Sequence, residues 1–158
     1  FWTNRSSKDL YHRSDVNLRR GEQHFAETSA AEFVTGGGGI PLVQNDDGTL
    51  SGCEAVIDKD LTSALLAKEI GASTLVILTG VERVAINYNR PEQQWLDTVS
   101  LAQMKQYYQE GHFAEGSMGP KVLAAMRFVE NSGSRAIITC LEKVVEALRG
   151  HTGTIIVA

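Results

Sequence analysis

The sequence predicts an α/β protein in which helices cover both faces of an open, mainly parallel sheet. Three short apolar runs are rich in β-branched residues, which is typical of buried parallel strands. They occupy residues 74–79 (TLVILT), 136–139 (AIIT) and 154–157 (TIIV). Amphipathic helical patterns alternate with these runs, over residues 61–70, 122–130 and 141–149. The alternation indicates βαβ units, and hence a three-layer order of helices, sheet and helices.

Composition excludes several classes of function. The chain has 158 residues, of which 42% are hydrophobic and 22% charged, as in an ordinary globular domain. A formal net charge of −4 and the lack of a basic stripe argue against nucleic-acid binding. No apolar run approaches the roughly 18 residues of a membrane span, and no signal peptide is visible. We therefore expect a cytoplasmic protein without nucleic-acid or membrane partners.

Metal-ligating patterns are also missing from the sequence. The four histidines are scattered, and the two cysteines, Cys53 and Cys140, lack metal-type spacing. We interpret both cysteines as reduced thiols, and Cys140 as a core residue rather than a nucleophile. No protein-held metal site is predicted.

The beginning of the chain differs from the rest. Residues 1–32 show no sustained period of 2 or 3.6, so we expect a disordered or foreign segment. The domain is predicted over residues 33–158. It opens with a short apolar run, residues 33–35, that leads into Gly36, Gly37, Gly38 and Gly39. Because glycine allows close approach of the backbone to a ligand, we interpret these glycines as a ligand-facing turn. A flexible linker is the alternative.

Two elements follow the glycines. A surface hairpin is predicted over residues 42–53, because short apolar runs flank Asp47-Gly48. A helix over residues 61–70 is predicted next, capped by Asp58 or Asp60 and followed by Gly71 at its end. This places Asp58-Lys59-Asp60 at a strand-to-helix turn. We expect one apolar face on this helix, formed by Leu61, Leu65, Leu66 and Ile70 with Ala64 and Ala67.

The later elements complete the alternation. Residues 74–79 are predicted as a central parallel strand and residues 84–88 as a second strand, followed by a turn over residues 89–92. Ser100 is predicted to cap a helix that continues to about residue 110. In the helix over residues 141–149, four side chains are predicted to face inward: Leu141, Val144, Val145 and Leu148.

The segment Gly116-Ser117-Met118-Gly119-Pro120-Lys121 leads into the apolar helix over residues 122–130. Pro120 suits the first helical position and Ser117 the N-cap. Lys121 adds a full charge to the partial positive charge of the helix N-terminus, which favours an anion such as phosphate. The alternative is an ordinary capped surface helix.

Three features are expected to converge at the carboxyl ends of the strands: the glycine run, the Asp58-Lys59-Asp60 turn and Lys121. Two lysines beside two carboxylates suit phosphoryl transfer, in which positioning and positive charge supply most of the catalysis. Neither a Walker A motif nor a dinucleotide-binding glycine motif is present. The alternatives are that the aspartates only cap a helix and that Lys59 is solvated.

Other candidate residues have simpler interpretations. We interpret His112 as a loop residue rather than a catalytic base. The aromatic residues Trp95, Tyr107 and Tyr108 are interpreted as packing residues rather than as surfaces for base stacking.

Five segments together resemble the carboxy-terminal half of carbamate kinases, which have the amino acid kinase fold. They are GGGGIP (36–41), EAVIDKDLTSALLA (54–67), LVILTGVERVAINYNRPEQ (75–93), GHFAEGSMGPK (111–121) and TGTII (152–156). The resemblance is nearly continuous over residues 34–158 and preserves order and spacing. It implies a partial domain with the three-layer, mainly parallel sheet of that family.

The resemblance also implies function. Carbamate kinases interconvert ATP and carbamate with ADP and carbamoyl phosphate, use Mg²⁺ with the nucleotide, and are usually homodimers; arginine breakdown is one setting for the reaction. By resemblance, Lys59 and Lys121 contact the phosphates, Asp60 organises the lysines, and Asp58 lies beside the phosphates. The adenine and ribose neighbourhood is matched by Thr79, Gly80, Tyr88, Met118 and Gly119, and the cleft-facing glycines by Gly36–Gly39.

The chain departs from the family in its first part. A GGNA loop, an HGNGPQ segment and a further active-site lysine are expected in the amino-terminal half, and none is present. We therefore expect the chain to supply the half that binds ATP or ADP. Two alternatives stay open: a non-catalytic nucleotide-binding fragment, and another amino acid kinase acting on acetylglutamate, glutamate or uridylate.

Overall fold

The computed structural model describes residues 40–158, so the predictions for residues 1–32, 33–35 and Gly36–Gly39 lie outside the described residues. The strands are β1 (Leu42–Gln44), β2 (Leu50–Gly52), β3 (Thr74–Thr79), β4 (Ala85–Ile86), β5 (Gln94–Trp95), β6 (Thr98–Ser100), β7 (Arg135–Cys140) and β8 (Thr154–Val157). The helices are α1 (Lys59–Glu69), α2 (Leu101–Gln109), α3 (Met118–Ser132) and α4 (Val144–Leu148), with a 3₁₀ turn at Leu141–Lys143 before α4.

The main sheet of this region has four strands in the order β3-β7-β8-β6. Strand β3 pairs parallel to β7, and β6 pairs parallel to β8, whereas β7 and β8 are antiparallel. The predicted mainly parallel sheet is therefore confirmed. The prediction that residues 74–79 are a central strand is wrong for the described region, because β3 lies at the edge of this sheet. An apolar run reports burial of the two faces of a strand and carries no information on how many neighbours it pairs with.

Helices cover both faces of the sheet. Helices α2 and α3 pack over one face, where Ala136, Ile138 and Ile156 are buried in the main core, and α1 packs against α3. On the opposite face, α4 packs against β7 and buries Ala147 close to Ile137. The alternation of side chains along β7 supplies apolar residues to both faces, which confirms the predicted three layers.

Two predicted helical faces differ from the structure. In α1 the buried apolar residues are Ala64 and Ala67, whereas the larger side chains, Leu61, Leu65, Leu66 and Ile70, are only half-buried. Helix α1 packs extensively against α3, and small residues at the contact allow the two helices to approach closely.

The second difference concerns the helix that was predicted over residues 141–149. Leu141, Val145 and Leu148 are exposed by 65%, 56% and 42%, so the prediction that they face inward is wrong. The segment begins with a 3₁₀ turn, whose three residues per turn change the helical phase. Half-buried Val144 and buried Ala147 therefore face the sheet instead.

Two antiparallel hairpins lie beside the main sheet. The hairpin of β1 and β2 is confirmed, with Gly48 at φ 83° and the Asp47 carboxylate accepting a hydrogen bond from the Thr49 N–H. The second hairpin joins β4 to β5, so the strand predicted over residues 84–88 is shorter than expected. Residues 53–58, between β2 and α1, form no strand, so the prediction that Asp58-Lys59-Asp60 lies at a strand-to-helix turn is wrong: an irregular segment leads into the helix.

The termini of α1 and α2 follow local sequence signals. Gly71 follows α1 with φ 66°, as its predicted place at the helix end requires. The Ser100 hydroxyl accepts a hydrogen bond from the Gln103 N–H at the start of α2, which confirms the predicted cap. None of the helices in residues 40–158 is both long and apolar enough to cross a membrane.

Alanine substitutions at Gly150 and Gly153 distinguish two causes of destabilisation, backbone strain and steric crowding. Gly150 and Gly153 have almost the same φ, +81° and +80°, but a Cβ on Gly150 would meet nothing within 4 Å. A Cβ on Gly153 would lie 3.2 Å from the Ala147 Cβ and 3.3 Å from Ile137 Cγ2. We expect Gly150→Ala to lower the free energy of unfolding by about 1 kcal/mol through strain alone. Gly153→Ala should cost about 1–3 kcal/mol more through overpacking. Urea denaturation of both variants measures the difference, and equal losses would contradict the packing described for α4.

Candidate active site

A cavity of about 890 Å³ opens beside the carboxyl end of β3, where Thr79 and Gly80 lie. Its walls come from the start of α1, the end of β3, the β4–β5 hairpin and the segment that leads into α3. Eight of the residues that the sequence analysis predicted for the site line it: Asp58, Lys59, Asp60, Thr79, Gly80, Tyr88, Met118 and Lys121. The chain therefore brings two of the three predicted features to one cavity, and the third, Gly36–Gly39, lies outside the described residues.

The start of α1 is fixed by the Asp58 carboxylate. One oxygen of this carboxylate accepts hydrogen bonds from the N–H groups of Asp60 (2.8 Å) and Leu61 (3.1 Å). These donors belong to the first turn of the helix and have no partner inside it. The capping interpretation of Asp58 is therefore correct, and because Asp58 also lines the cavity, capping does not exclude a role beside a ligand.

The ion pair between Asp60 and Lys121 joins α1 to α3 at the cavity. Lys121 Nζ lies 2.8 Å from Asp60 Oδ2, and the two side chains are only 15% and 10% exposed. A charge-assisted hydrogen bond at this distance, shielded from water, fixes the direction of a long flexible side chain. The ammonium group is thus held at the cavity surface by a residue that is 61 positions away in the chain.

Lys59 differs from Lys121 in both burial and pairing. It is exposed, it lines the cavity, and no ion pair joins it to a carboxylate within residues 40–158. The expectation that Asp60 holds both lysines is therefore met for Lys121 only. Lys59 is therefore an exposed cation at the cavity, which agrees with the solvated alternative.

The N-terminus of α3 is less suited to binding an anion than the sequence suggested. Ser117 occupies the N-cap position, but its side chain makes no capping hydrogen bond. Helix α3 begins at Met118, so Pro120 is its third residue rather than its first, and it has no N–H. The Gly119 N–H already donates to the Ala114 carbonyl at 2.8 Å. The positive charge at this end of the cavity therefore comes mainly from Lys121.

Gly119, which was predicted to lie near the adenine and ribose, does not line the cavity but packs against Ala114 at the start of α3. It is buried, it is not among the residues that line the cavity, and a Cβ there would lie 3.0 Å from the Ala114 carbonyl oxygen. Its small size lets α3 start directly against residues 113–114, which sets the position of Lys121 two residues later.

Several lining residues were not identified from the sequence. They belong mainly to the β4–β5 hairpin and to the segment after α2: Arg83, Ala85, Asn87, Arg90, Trp95, Glu110 and His112. In the segment Val84-Ala85-Ile86-Asn87, apolar residues alternate with small or polar ones, and this alternation was the available signal for a strand with one face on a cavity.

Glu110 and His112 form a pair in the cavity wall, with the His112 Nε2 3.1 Å from the Glu110 Oε2. A hydrogen bond from the Gln106 side chain, with a smaller contribution from His112, lowers the pKa of Glu110 below its usual value. Glu110 is thus held as a carboxylate that orients the His112 ring. The structure places His112 in the loop after α2, as predicted, and in the cavity wall.

Comparisons with known proteins show the family of the chain. The sequence profile described as the amino acid kinase family matches residues 9–140. The chain belongs to the amino acid kinase family. Among curated relatives, it is 54% identical over 125 residues to the carbamate kinase of Thermococcus kodakarensis, which is 79% of this chain and 39% of that protein. It is 50% identical over 132 residues to the carbamate kinase of Pyrococcus horikoshii, covering 84% of this chain and 42% of the relative.

Solved structures give the same result for the fold. Carbamate kinase from Giardia lamblia bound to AMP-PNP superposes with a TM-score of 0.73 at 45% identity, over 76% of this chain and 42% of that chain. The predicted amino acid kinase fold is therefore confirmed, and the chain spans about two fifths of the length of the carbamate kinases that it matches. The family profile begins within residues 1–32, and the proposed boundary at residue 33 stays a prediction.

The capping role of Asp58 can be separated from its charge. Asp58→Ala removes both hydrogen bonds to the first turn of α1 and should lower the free energy of unfolding by about 1 kcal/mol. Asp58→Asn keeps an acceptor oxygen, so we expect a change of less than about 0.5 kcal/mol. Asp46→Ala, at an exposed residue of the β1–β2 turn, is the control for loss of one negative charge. Chemical denaturation measures all three, and an Asp58→Ala chain as stable as the wild type would contradict the cap.

Proposed function

We propose that the chain supplies the nucleotide-binding half of a carbamate kinase, which transfers a phosphoryl group between ATP and carbamate. In catabolism the reaction would run from ADP and carbamoyl phosphate toward ATP. The observation that carries the proposal is the Lys121 ammonium group, held at the cavity by Asp60 and accompanied there by Lys59. The identity of about 50% to carbamate kinases supports this choice among the amino acid kinases.

The arrangement suits a transferred phosphoryl group. Its negative charge is spread over three oxygens in the transition state, so fixed positive charge beside those oxygens lowers the barrier. Lys121 is fixed before the ligand arrives, because its pairing with Asp60 already restricts the side chain. Lys59 is free to move toward a phosphate when one binds. We therefore propose that Lys121 contacts the transferred group and that Lys59 neutralises the neighbouring phosphates.

A nucleotide is the proposed ligand of the same cavity. Its volume of about 890 Å³ lies within the range of small-molecule sites. Thr79, Gly80, Tyr88 and Met118 also line the cavity, and they are proposed to lie near the adenine and ribose. The Giardia lamblia relative was solved bound to AMP-PNP, which supports a nucleotide as the occupant.

The donor set fits a magnesium ion that arrives with the nucleotide. Asp58 and Asp60 both line the cavity, but no group of three His, Cys, Asp or Glu side chains able to hold a metal occurs among residues 40–158. Mg²⁺ is commonly held by one or two carboxylates together with phosphates and water. Asp58 and Asp60 would supply the carboxylates, and the bound ion would neutralise phosphate charge.

The acceptor side of the reaction is proposed to lie on the rest of the enzyme. The chain spans only about two fifths of its carbamate kinase relatives. We propose that the remaining part carries most of the contacts to carbamate or carbamoyl phosphate. From the resemblance we also propose a cytoplasmic homodimer, with arginine breakdown as one setting for the reaction. Because the chain spans only about two fifths of the length of these relatives, a second candidate function is also favoured: binding of ADP or ATP without turnover.

Two measurements on the chain separate these candidates: calorimetric titration with ADP, and a coupled assay for ATP formation from ADP and carbamoyl phosphate. We expect ADP to bind, and Lys121→Ala to reduce any ATP formation by about 10²–10³-fold, as loss of a fixed transition-state contact does elsewhere. Lys105→Ala is the matched control, because Lys105 pairs with Glu130 and does not line the cavity.

The outcomes have distinct meanings. ATP formation that is lost in Lys121→Ala and kept in Lys105→Ala supports catalysis by this half alone. Binding of ADP without ATP formation favours the second candidate. Equal rates in the wild type and Lys121→Ala would contradict the role proposed for Lys121.

A further inference from the structure

The β4–β5 hairpin separates the core from the cavity. Ile86 and Leu96 are 8% and 4% exposed and belong to the main core. Ala85 and Trp95 are directly paired across the two strands, and both line the cavity. Because side chains alternate along a strand, one face of the hairpin anchors it in the core and the other presents a surface to the cavity.

That surface is aromatic and open. Trp95 and Tyr88 are 47% and 53% exposed, although both are large apolar side chains of the same cavity wall. Their rings meet edge to face, with centroids 6.3 Å apart. The partner of Trp95 across the hairpin is Ala85, which has a small side chain. Core packing therefore does not account for Trp95, since half of its surface is open and the hairpin is anchored by other residues.

The turn of the hairpin is held in one conformation. Asn87 and Asn89 adopt positive φ values of 51° and 59°. The Gln93 side-chain carbonyl accepts a hydrogen bond from the Asn89 N–H at 2.9 Å, and the Arg90 N–H donates to the Asn87 carbonyl at 3.0 Å. These bonds hold the backbone around Tyr88, which lies between the two asparagines. A wall that is ordered before the ligand binds loses little entropy on binding.

The cavity thus has two chemically different parts. Lys59 and Lys121 provide positive charge at the helix starts. Trp95 and Tyr88 provide an aromatic wall at the hairpin, where Arg83 and Arg90 also line the cavity. A ligand that joins a polyanion to a flat ring system matches both parts. We propose that Trp95, together with Tyr88, forms the stacking surface for the base of the bound nucleotide and is a main determinant of the affinity for the nucleoside part. This inference rests on the proposed function, and it replaces the packing interpretation of Trp95.

The test compares two probes, ADP and inorganic tripolyphosphate, because only ADP has a base. Stacking of one base on an aromatic side chain corresponds to a change of about tenfold in affinity. We expect Trp95→Ala to weaken ADP binding about tenfold and to leave tripolyphosphate binding unchanged. Trp95→Phe should keep ADP affinity within about threefold, because it retains a flat ring. Calorimetric titration measures each dissociation constant.

Two controls test whether the loss of ADP affinity is specific to Trp95. Leu141→Ala truncates an apolar side chain that is 65% exposed and does not line the cavity, and it should change neither affinity. The sequence has two tryptophans, Trp2 and Trp95, so a Trp2→Phe chain isolates the fluorescence of Trp95. We expect ADP to quench this fluorescence and tripolyphosphate to have little effect.

Failure of the stacking role can be distinguished from failure of the proposed nucleotide site. If the wild type and Trp95→Ala bind ADP equally well, the stacking role is refuted while the proposed function stands. If neither probe binds, the nucleotide site itself is contradicted, and the inference falls with it.

Discussion

The ion pair between Asp60 and Lys121 is the contact on which the rest of the site depends. It joins the first turn of α1 to the first turn of α3, two helices that also form the most extensive helix–helix contact of residues 40–158. Each helix start is fixed by a separate device. The Asp58 cap defines the start of α1, and the close approach of Gly119 to Ala114 defines the start of α3. The ion pair then aligns the two starts, so that one positive charge has a fixed position at the cavity.

The energetics of this pair favour a functional explanation. Removing two charges from water costs several kcal/mol per ion, and a buried pair often adds no more stability than apolar side chains of similar volume. A chain under selection for stability alone gains little from a lysine that is 15% exposed. A site that binds a polyanion gains a cation with restricted motion, because less entropy is lost when the ligand arrives. The pair is therefore better explained by its effect on the cavity than by its effect on folding.

The sequence predicted those parts of the fold that are encoded locally. The apolar runs of β3, β7 and β8, the Asp47-Gly48 turn and the Ser100 cap are all recognisable within a few residues. Properties that depend on distant parts of the chain were not accessible in this way. The edge position of β3 depends on which strands pair with it, and the phase of α4 depends on the 3₁₀ turn before it.

In the site, too, the locally encoded features were predicted, whereas those that depend on distant parts of the chain were not. Charged residues in short motifs, Asp58, Lys59, Asp60 and Lys121, were predicted from residue type and from resemblance, and the fold brings them to one cavity. The pairing of Asp60 with Lys121 but not with Lys59 required coordinates. Trp95 was missed because its strand has only two residues, which is too short for a periodic pattern, and its exposure depends on a core anchored by Ile86 and Leu96.

The central claim is that Asp60 acts on a bound nucleotide through Lys121. The most direct measurement is the ADP dissociation constant of four chains: the wild type, Asp60→Asn, Lys121→Met and the double variant. We predict that Asp60→Asn weakens ADP binding when Lys121 is present, because the ammonium group loses its fixed position. With magnesium left out of the buffer, the same change in the Lys121→Met background should leave ADP affinity unchanged or raise it, because only a negative charge near the phosphates is removed. An effect of Asp60→Asn that is equal in both backgrounds would show that the two residues act independently, and would contradict the claim.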